Sequence, residues 1–239
     1  PSANVHVRCL ERARTWGEDV PGSALVVAAD RFDRGQFPRL SPLPGAAAEA
    51  RVIAAAYPRA RLLAGGEATR ERFLDLASRK PQVIHFAGHA VVNADHPDLS
   101  MLVLAGDGEK NGSAAVYSHE VDGLDLGATR LVILSACSTA AGRVSASEGA
   151  TSLARSFLAA GVPAVLASLW DVDDKATFRL LTELHRHLRA GDDPAAALRR
   201  VQLSELGKAP PAEWAAFQLI GGSPPNFEEE NQAWHSRSS

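Results

Sequence analysis

Two side chains in this 239-residue sequence have the chemistry of a nucleophile and its base: the thiol of Cys137 and the imidazole of His89. A thiolate attacks carbonyl carbon. An imidazole within reach favours the thiolate and later hands the proton to the leaving group. Both residues stand where an apolar run gives out. His89 falls near the end of "VIHFAGHA", residues 83–90, and Cys137 follows the apolar start of "LVILSACSTAAG", residues 131–142. A carbonyl oxygen under attack needs donors as it takes up charge, and backbone N–H groups at turns after strands supply them. The amides of Ala90 and Cys137 are the candidates. The small residues that follow the cysteine, Ser138, Thr139 and Ala140 first, let a substrate backbone come close.

Other groups near the two runs have alternative readings. His85 sits one pleat before His89; it is either a hydrogen-bonded core residue or a supporting group behind the pair. Zinc held by His85, His89 and Cys137 is disfavoured, because a strand pair at i, i+4 does not project as a helical pair does and no fourth ligand is evident. No G-x-S-x-G elbow surrounds Ser138, so it is placed in a substrate pocket rather than read as a nucleophile. Asp171, Asp173 and Asp174 follow the last core strand. They form either an acidic pocket that selects Lys or Arg on the N-terminal side of the scissile bond, or caps at a helix N-terminus, a role expected for at least one of them. Glu148 has the same ambiguity at the start of its helix and is a second supporting candidate. His185 and His187 read as solvated on a polar helix face, and Cys9 as core.

These residues need elements that bring them together. "VHVRC" (5–9) alternates and predicts a short strand. Continuous apolar runs at 23–30, 83–88, 131–136 and 164–170 predict strands buried on both faces of a parallel sheet, and "ARLLAG" (60–65) another strand. Helices are expected over 46–57, stopped by Pro58; over 68–79; over 147–160, between Ser147 as cap and Gly161; from Asp173 or Asp174 to Gly191; and after Asp193 as N-cap with Pro194 in the first turn. "GDGEKNG" (106–112) is a strong turn signal, so residues 100–117 predict a β-hairpin or flap. "WAAFQLIGG" (214–222) reads as a last strand. Strand–helix alternation of this kind means a mostly parallel sheet of about six strands between two helical layers, an αβα sandwich. In such sheets functional groups collect at the carboxyl ends of the strands. His89 and Cys137 are both expected there, on one rim, under the flap.

Bulk properties narrow the function. The chain is 46% hydrophobic, enough for a large core, and carries a net charge of -3. No basic stripe appears, which disfavours nucleic-acid binding. No apolar run approaches a membrane span and no signal-peptide pattern opens the chain, so no membrane partner is expected. Two cysteines in a chain of this size suit a reduced, cytoplasmic protein. A single domain is expected over residues 1–222, with a polar, disordered tail over 223–239. The start at Pro1 suggests a fragment of a longer protein. No P-loop and no G-x-G-x-x-G turn points to a nucleotide.

His89 precedes Cys137 by 48 positions, the order and approximate spacing of caspases. The match extends further. "LPGAAAEA" (43–50), "VIHFAGHA" (83–90), "RLVILSACSTAAG" (130–142), "EGATSLARSFLAAGVPAVLASLWDVDD" (148–174) and "WAAFQLIGG" (214–222) closely resemble the CHAT domain, a caspase-like family of clan CD related to separases. The resemblance implies a caspase-like sheet and a His–Cys dyad on His89 and Cys137. It implies a cysteine endopeptidase acting on protein or peptide substrates through a thioester, with no cofactor. It also implies a signalling or defence effector, the output domain of a parent chain with TPR or other sensor regions. The sequence departs from the family at Ala90, where glycine is usual. An inactive caspase-like interaction module is the alternative reading.

Overall fold

The computed structural model describes residues 2–15, 19–93, 95–106, 114–140 and 146–223; for 137–140 and 146–151 the backbone alone is described. The apolar runs form its sheet. In order, β2 (Arg59–Ala64), β1 (Ser23–Ala28), β3 (Val83–Val92), β6 (Leu131–Ala140), β7 (Ala164–Ser168) and β8 (Phe217–Gly221) lie side by side. All pairings along this path are parallel except β7 with β8. A hairpin of β4 (Met101–Val103) and β5 (Ala115–Tyr117) is added to it. It occupies the flank of β3 that β1 leaves free: β1 pairs with β3 as far as Ala87, and β4 pairs from His89 to Val91. The mostly parallel αβα arrangement and its hairpin therefore agree with the sequence reading.

Each face of the sheet is sealed by helices with an apolar stripe. On one side Ile53 of α2 (Ala46–Ala55), Leu180, Leu181 and Leu184 of α6 (Asp174–Arg189) and Val201 of α7 (Pro194–Glu205) pack on Val26, Ile133 and Leu166. On the other, Phe73 of α3 (Arg70–Ser78), Val121 of α4 (Ser118–Asp122) and Phe157 of α5 (Ala146–Ala159) pack on Val27, Phe86 and Val132. Capping side chains start the helices: Thr69 accepts the Arg72 N–H at α3, and Asp193 accepts two N–H groups at α7.

Three expectations are corrected. Residues 5–9 are not a strand; they belong to α1 (Ala3–Arg14), opened by the Ser2 cap, and its buried residues Cys9 and Ala13 stand at i, i+4. The valines that suggested alternation face outward, Val7 at 51% exposure. Trp214 closes a short helix, α8 (Pro211–Trp214), and the last strand starts only at Phe217. His89 and Cys137 do not follow the ends of their strands; they lie inside β3 and β6, each ten residues long. They are past the carboxyl ends of the flanking strands instead, since β1 stops at Ala28 beside Ala87 and β7 pairs with β6 no further than Leu134. The 106–112 turn lies largely, and the tail after Ser223 wholly, outside the described residues, as does the side chain of the expected cap Ser147.

Candidate active site

β3 and β6 bring the two candidate residues together in the backbone. His89 and Cys137 are register partners in adjacent parallel strands. Such partners lie about 4.8 Å apart and share a face of the sheet. That face is the one covered by α2 and α6, because His89 has the parity of His85, whose ring meets both helices. The side chains of Cys137, Ser138 and Glu148 lie outside the described residues.

The His89 ring is 3% exposed. Its Nε2 is 2.7 Å from the carbonyl oxygen of Ser41, and Phe32 meets the ring edge-on at 5.2 Å between centroids. A carbonyl oxygen only accepts, so Nε2 carries the hydrogen and Nδ1 presents the lone pair. Nδ1 is buried without a hydrogen-bond partner among the described residues. Burial lowers the pKa of the ring, while the Ser41 carbonyl and the Asp171 carboxylate act against that. The result is a neutral, oriented imidazole whose basic nitrogen has no hydrogen-bond partner among the described residues.

Ala90 is extended within β3, between Leu102 of β4 and Ser138 of β6. Lys80 is the one non-glycine with positive φ among the described residues, so alanine in place of the usual glycine causes no strain here. Gly88, by contrast, has no room for a side chain: a Cβ would sit 2.8 Å from Ala29 Cβ and from the Phe86 ring.

The acidic cluster divides. Asp173 is the N-cap of α6 and accepts the N–H groups of Lys175 and Ala176. Asp171 is exposed and acts on His89 through its charge. Asp174 lines a cavity of about 40 Å³ in the α2/α6 face of the β3–β6 seam, together with Glu49, Ala87, Ser135 and Ser168. Ser168 Oγ donates to the Ala136 carbonyl at 3.1 Å and ties the end of β7 to β6.

His85 belongs to a buried chain of hydrogen bonds, and so, against expectation, does His185. Glu49 Oε1 lies 2.9 Å from His85 Nε2, His85 Nδ1 3.1 Å from His185 Nε2, and His185 Nδ1 2.7 Å from the Tyr57 hydroxyl. All four residues are buried. His185 is not solvated because it falls on the apolar stripe of α6, at i, i+3, i+4, i+7 with Leu181, Leu184 and Leu188. His187 is partly buried and pairs with Asp192 at 2.7 Å.

The chain has one consistent direction. Burial, only partly opposed by Arg189, raises the Tyr57 pKa, so its hydroxyl keeps its proton. Burial and then the neighbouring His85 lower that of His185, which is therefore neutral with a single N–H. Tyr57 donates to His185, His185 donates to His85, and His85 donates to the Glu49 carboxylate. Reversal would leave the buried Tyr57 O–H without an acceptor among the described residues.

Glu49, Tyr57, Ser41 and Phe32 were not singled out from the sequence. Glu49 had a signal: it falls on the stripe Ala46, Glu49, Ala50, Ile53 at helical spacing. A lone charge on an apolar stripe marks a buried, partnered group. Ser41 acts through its carbonyl, for which residue type gives no signal.

Among the described residues no group of three or more His, Cys, Asp or Glu could hold a metal ion, and no helix is long and apolar enough to cross a membrane.

The CHAT domain model matches residues 2–222. Mouse tetratricopeptide repeat protein 28 is 30% identical over an alignment that takes in 75% of this chain and 9% of that protein. Among solved structures, the Arg-specific cysteine proteinase gingipain R of Porphyromonas gingivalis superposes with a TM-score of 0.55 at 12% identity, over 90% of this chain and 51% of that one. The Saccharomyces cerevisiae separase–securin complex gives 0.53 at 15% identity, over 91% of this chain and 14% of that one.

Proposed function

The chain belongs to the CHAT domain family, and from that premise we propose that it is a cysteine endopeptidase with His89 as base and Cys137 as nucleophile. The observation that carries the reading is the register pairing of the two residues, with the lone pair of His89 Nδ1 without a partner among the described residues. In the first step Nδ1 takes the Cys137 proton and Sγ adds to the scissile carbonyl. The tetrahedral intermediate collapses to a thioester as the imidazolium protonates the departing amine. Water, deprotonated by the same nitrogen, then releases the acid and restores the thiol. The Ser41 carbonyl holds the tautomer and stabilises the imidazolium by accepting its Nε2–H, and Asp171 adds a favourable charge. The oxyanion donors are the amides of Ala90 and Cys137, and Ser138 and Asp174 border the substrate. Tetratricopeptide repeats or another sensor region in the parent chain govern access, as the similarity to a tetratricopeptide repeat protein suggests.

A second reading has a specific observation in its favour. The β3–β6 ladder continues past His89 and Cys137 to Val92 and Ala140, so both proposed oxyanion amides lie within the sheet, and His89 is buried. A permanently closed module that binds partners without cleaving them fits this as well.

A peptidyl acyloxymethyl ketone separates the two. In the native protein it is expected to alkylate Cys137 and to spare Cys9, which is 2% exposed and whose thiol pKa is raised by burial. Cys137→Ala is expected to abolish both labelling and cleavage. Cleavage that persists in pure Cys137→Ala protein rejects the assignment. Absence of labelling in the activator-bound parent chain favours the closed module.

A further inference from the structure

The hairpin beside the candidate pair carries apolar side chains that the proposed reaction does not use, and strand register sets where they stand. Cys137 of β6, His89 of β3, Val103 of β4 and Ala115 of β5 are successive register partners, so they form one row across the sheet on one face. One pleat further along β3, Val91, Met101 and Tyr117 form a second row on that face. In the first row His89, Val103 and Ala115 are buried. In the second row Val91, Met101 and Tyr117 are each partly exposed.

Met101 and Tyr117 line a shallow recess of about 590 Å³, and Leu99, 39% exposed, joins them. His119 stacks on Tyr117 with 5.6 Å between ring centroids and 20° between ring planes, and its Nδ1 lies 3.1 Å from the Asp98 carbonyl oxygen, so the tyrosine ring is braced from one side. Among the described residues the charged walls of the recess, Arg70 and Glu120, pair with each other, and Glu120 also accepts the Tyr117 N–H at 2.9 Å. The recess therefore asks for no counter-charge. What it leaves open is the aliphatic and aromatic surface of Leu99, Met101 and Tyr117.

The reaction gives this surface a direction. In the proposed mechanism the His89 imidazolium protonates the departing amine, so the leaving segment of the substrate, C-terminal to the cut, lies on the His89 side of Cys137. β4 and β5 extend the sheet on that side. From His89 to Tyr117 is two strand spacings and one pleat, about 12 Å. An extended peptide covers that distance in about three or four residues.

We propose that the recess on the hairpin binds an aromatic or large aliphatic side chain of the substrate, at about the third or fourth residue after the scissile bond, with Leu99, Met101 and Tyr117 as its specificity-determining contacts. The proposal rests on the peptidase reading for the identity of the ligand as a substrate and for its direction. The apolar preference comes from the recess alone.

Two assays separate the proposal from the reading beneath it. Met101 is the one methionine in the sequence, so a 13C-methyl methionine label reports from this recess alone. Into Cys137→Ala protein labelled in this way, a tetrapeptide amide with alanine at its first two positions and phenylalanine at its last two is titrated as the leaving segment. It should shift the methyl signal to saturation, the all-alanine tetrapeptide should not, and Leu99→Asn with Tyr117→Thr should abolish the shift. The second assay is cleavage. Phenylalanine in place of alanine at the third or fourth leaving position should raise kcat/KM by roughly tenfold, for a ring that buries about 60 Å² more than a methyl group. The double variant should bring that ratio near one. A methyl signal indifferent to both peptides, or a shift or a cleavage preference that survives the double variant, overturns the proposal. A signal that moves with protein concentration in the absence of peptide, with dimers in sedimentation, assigns the face to a second copy and overturns it as well. A selective shift that the double variant loses, with no peptide cleaved, sustains the apolar recess and overturns the peptidase reading. If Tyr117→Thr does not fold, Leu99→Asn alone, at an exposed position, carries the comparison.

Discussion

The buried chain from Tyr57 to Glu49 predicts an order of stabilities that independent hydrogen bonds would not give. Tyr57→Phe removes the donor to His185 Nδ1 and leaves that nitrogen as one buried acceptor without a partner. The Arg189 guanidinium, 5.6 Å from the ring centroid, keeps its aromatic face. His185→Leu leaves two orphans, the Tyr57 hydroxyl and His85 Nδ1. Tyr57→Phe combined with His185→Leu leaves only His85 Nδ1. Each orphan costs about 1–3 kcal/mol. The single changes are thus expected to destabilise by about 1–3 and about 2–6 kcal/mol. The double variant should be more stable than His185→Leu by about 1–3 kcal/mol, although it carries one more substitution. Urea unfolding of the wild type and three variants measures all four values. A double variant less stable than His185→Leu, with the two effects simply adding, would refute the continuity of the chain.

Two further outcomes follow from the same geometry. His89 and His185 both have pKa values lowered by burial, so the unfolded chain takes up protons on them before the folded one does. Their contribution is neutral above about pH 6.5 and becomes destabilising as pH falls from there toward the folded values, with a slope of up to about 1.4 kcal/mol per pH unit for each ring. Urea midpoints between pH 7.5 and 5 should show it, and His185→Leu should flatten the slope relative to the wild type; an unchanged slope would count against the protonation states assigned here. Gly88→Ala forces a methyl group to 2.8 Å from Ala29 Cβ and the Phe86 ring within the packed sheet. It should cost about 1–3 kcal/mol by overpacking, read as a lower urea midpoint, and a neutral result would mean that β3 shifts easily at the site.

The sheet and most helices are legible because burial on both faces writes long apolar runs, and because Asp193 with Pro194, Pro58 and Gly161 punctuate helix ends by local chemistry. The same logic misreads residues 5–9: Val5, Val7 and Cys9 alternate, but the burial that decides their structure is at Cys9 and Ala13, four residues apart. Strand length is equally non-local. The seventh residue of β3 remains in the sheet because β6 runs alongside it and the β4 hairpin arrives on the other flank, and neither neighbour is visible in "VIHFAGHA" itself. At the site, the order and spacing of His89 and Cys137 carry a signal; the Ser41 carbonyl, which decides which nitrogen of His89 is basic, carries none.

The short segment from Ser41 to Glu49 links the chemistry of the rim to the chemistry of the cavity. Its first residue supplies the carbonyl that fixes the His89 tautomer, and its last supplies the carboxylate on which the buried chain ends. Between them Gly45 packs against the Asp174 side chain at the start of α6. A shift of α2 along β3 would therefore change two things together: the orientation of the His89 ring and the position of the Glu49 carboxyl group. Glu49 is anchored to both layers, through His85 on the strand and, one step on, His185 on α6, so sliding α2 means breaking a hydrogen bond inside the core. Buried polar networks of this kind make a position specific rather than merely stable, since an apolar interface would tolerate small slips that a directional chain does not. An apolar residue at position 49 would pack on Ile53 and its neighbours, yet it would leave α2 free to settle wherever contact area is greatest. The glutamate holds it where Ser41 meets His89.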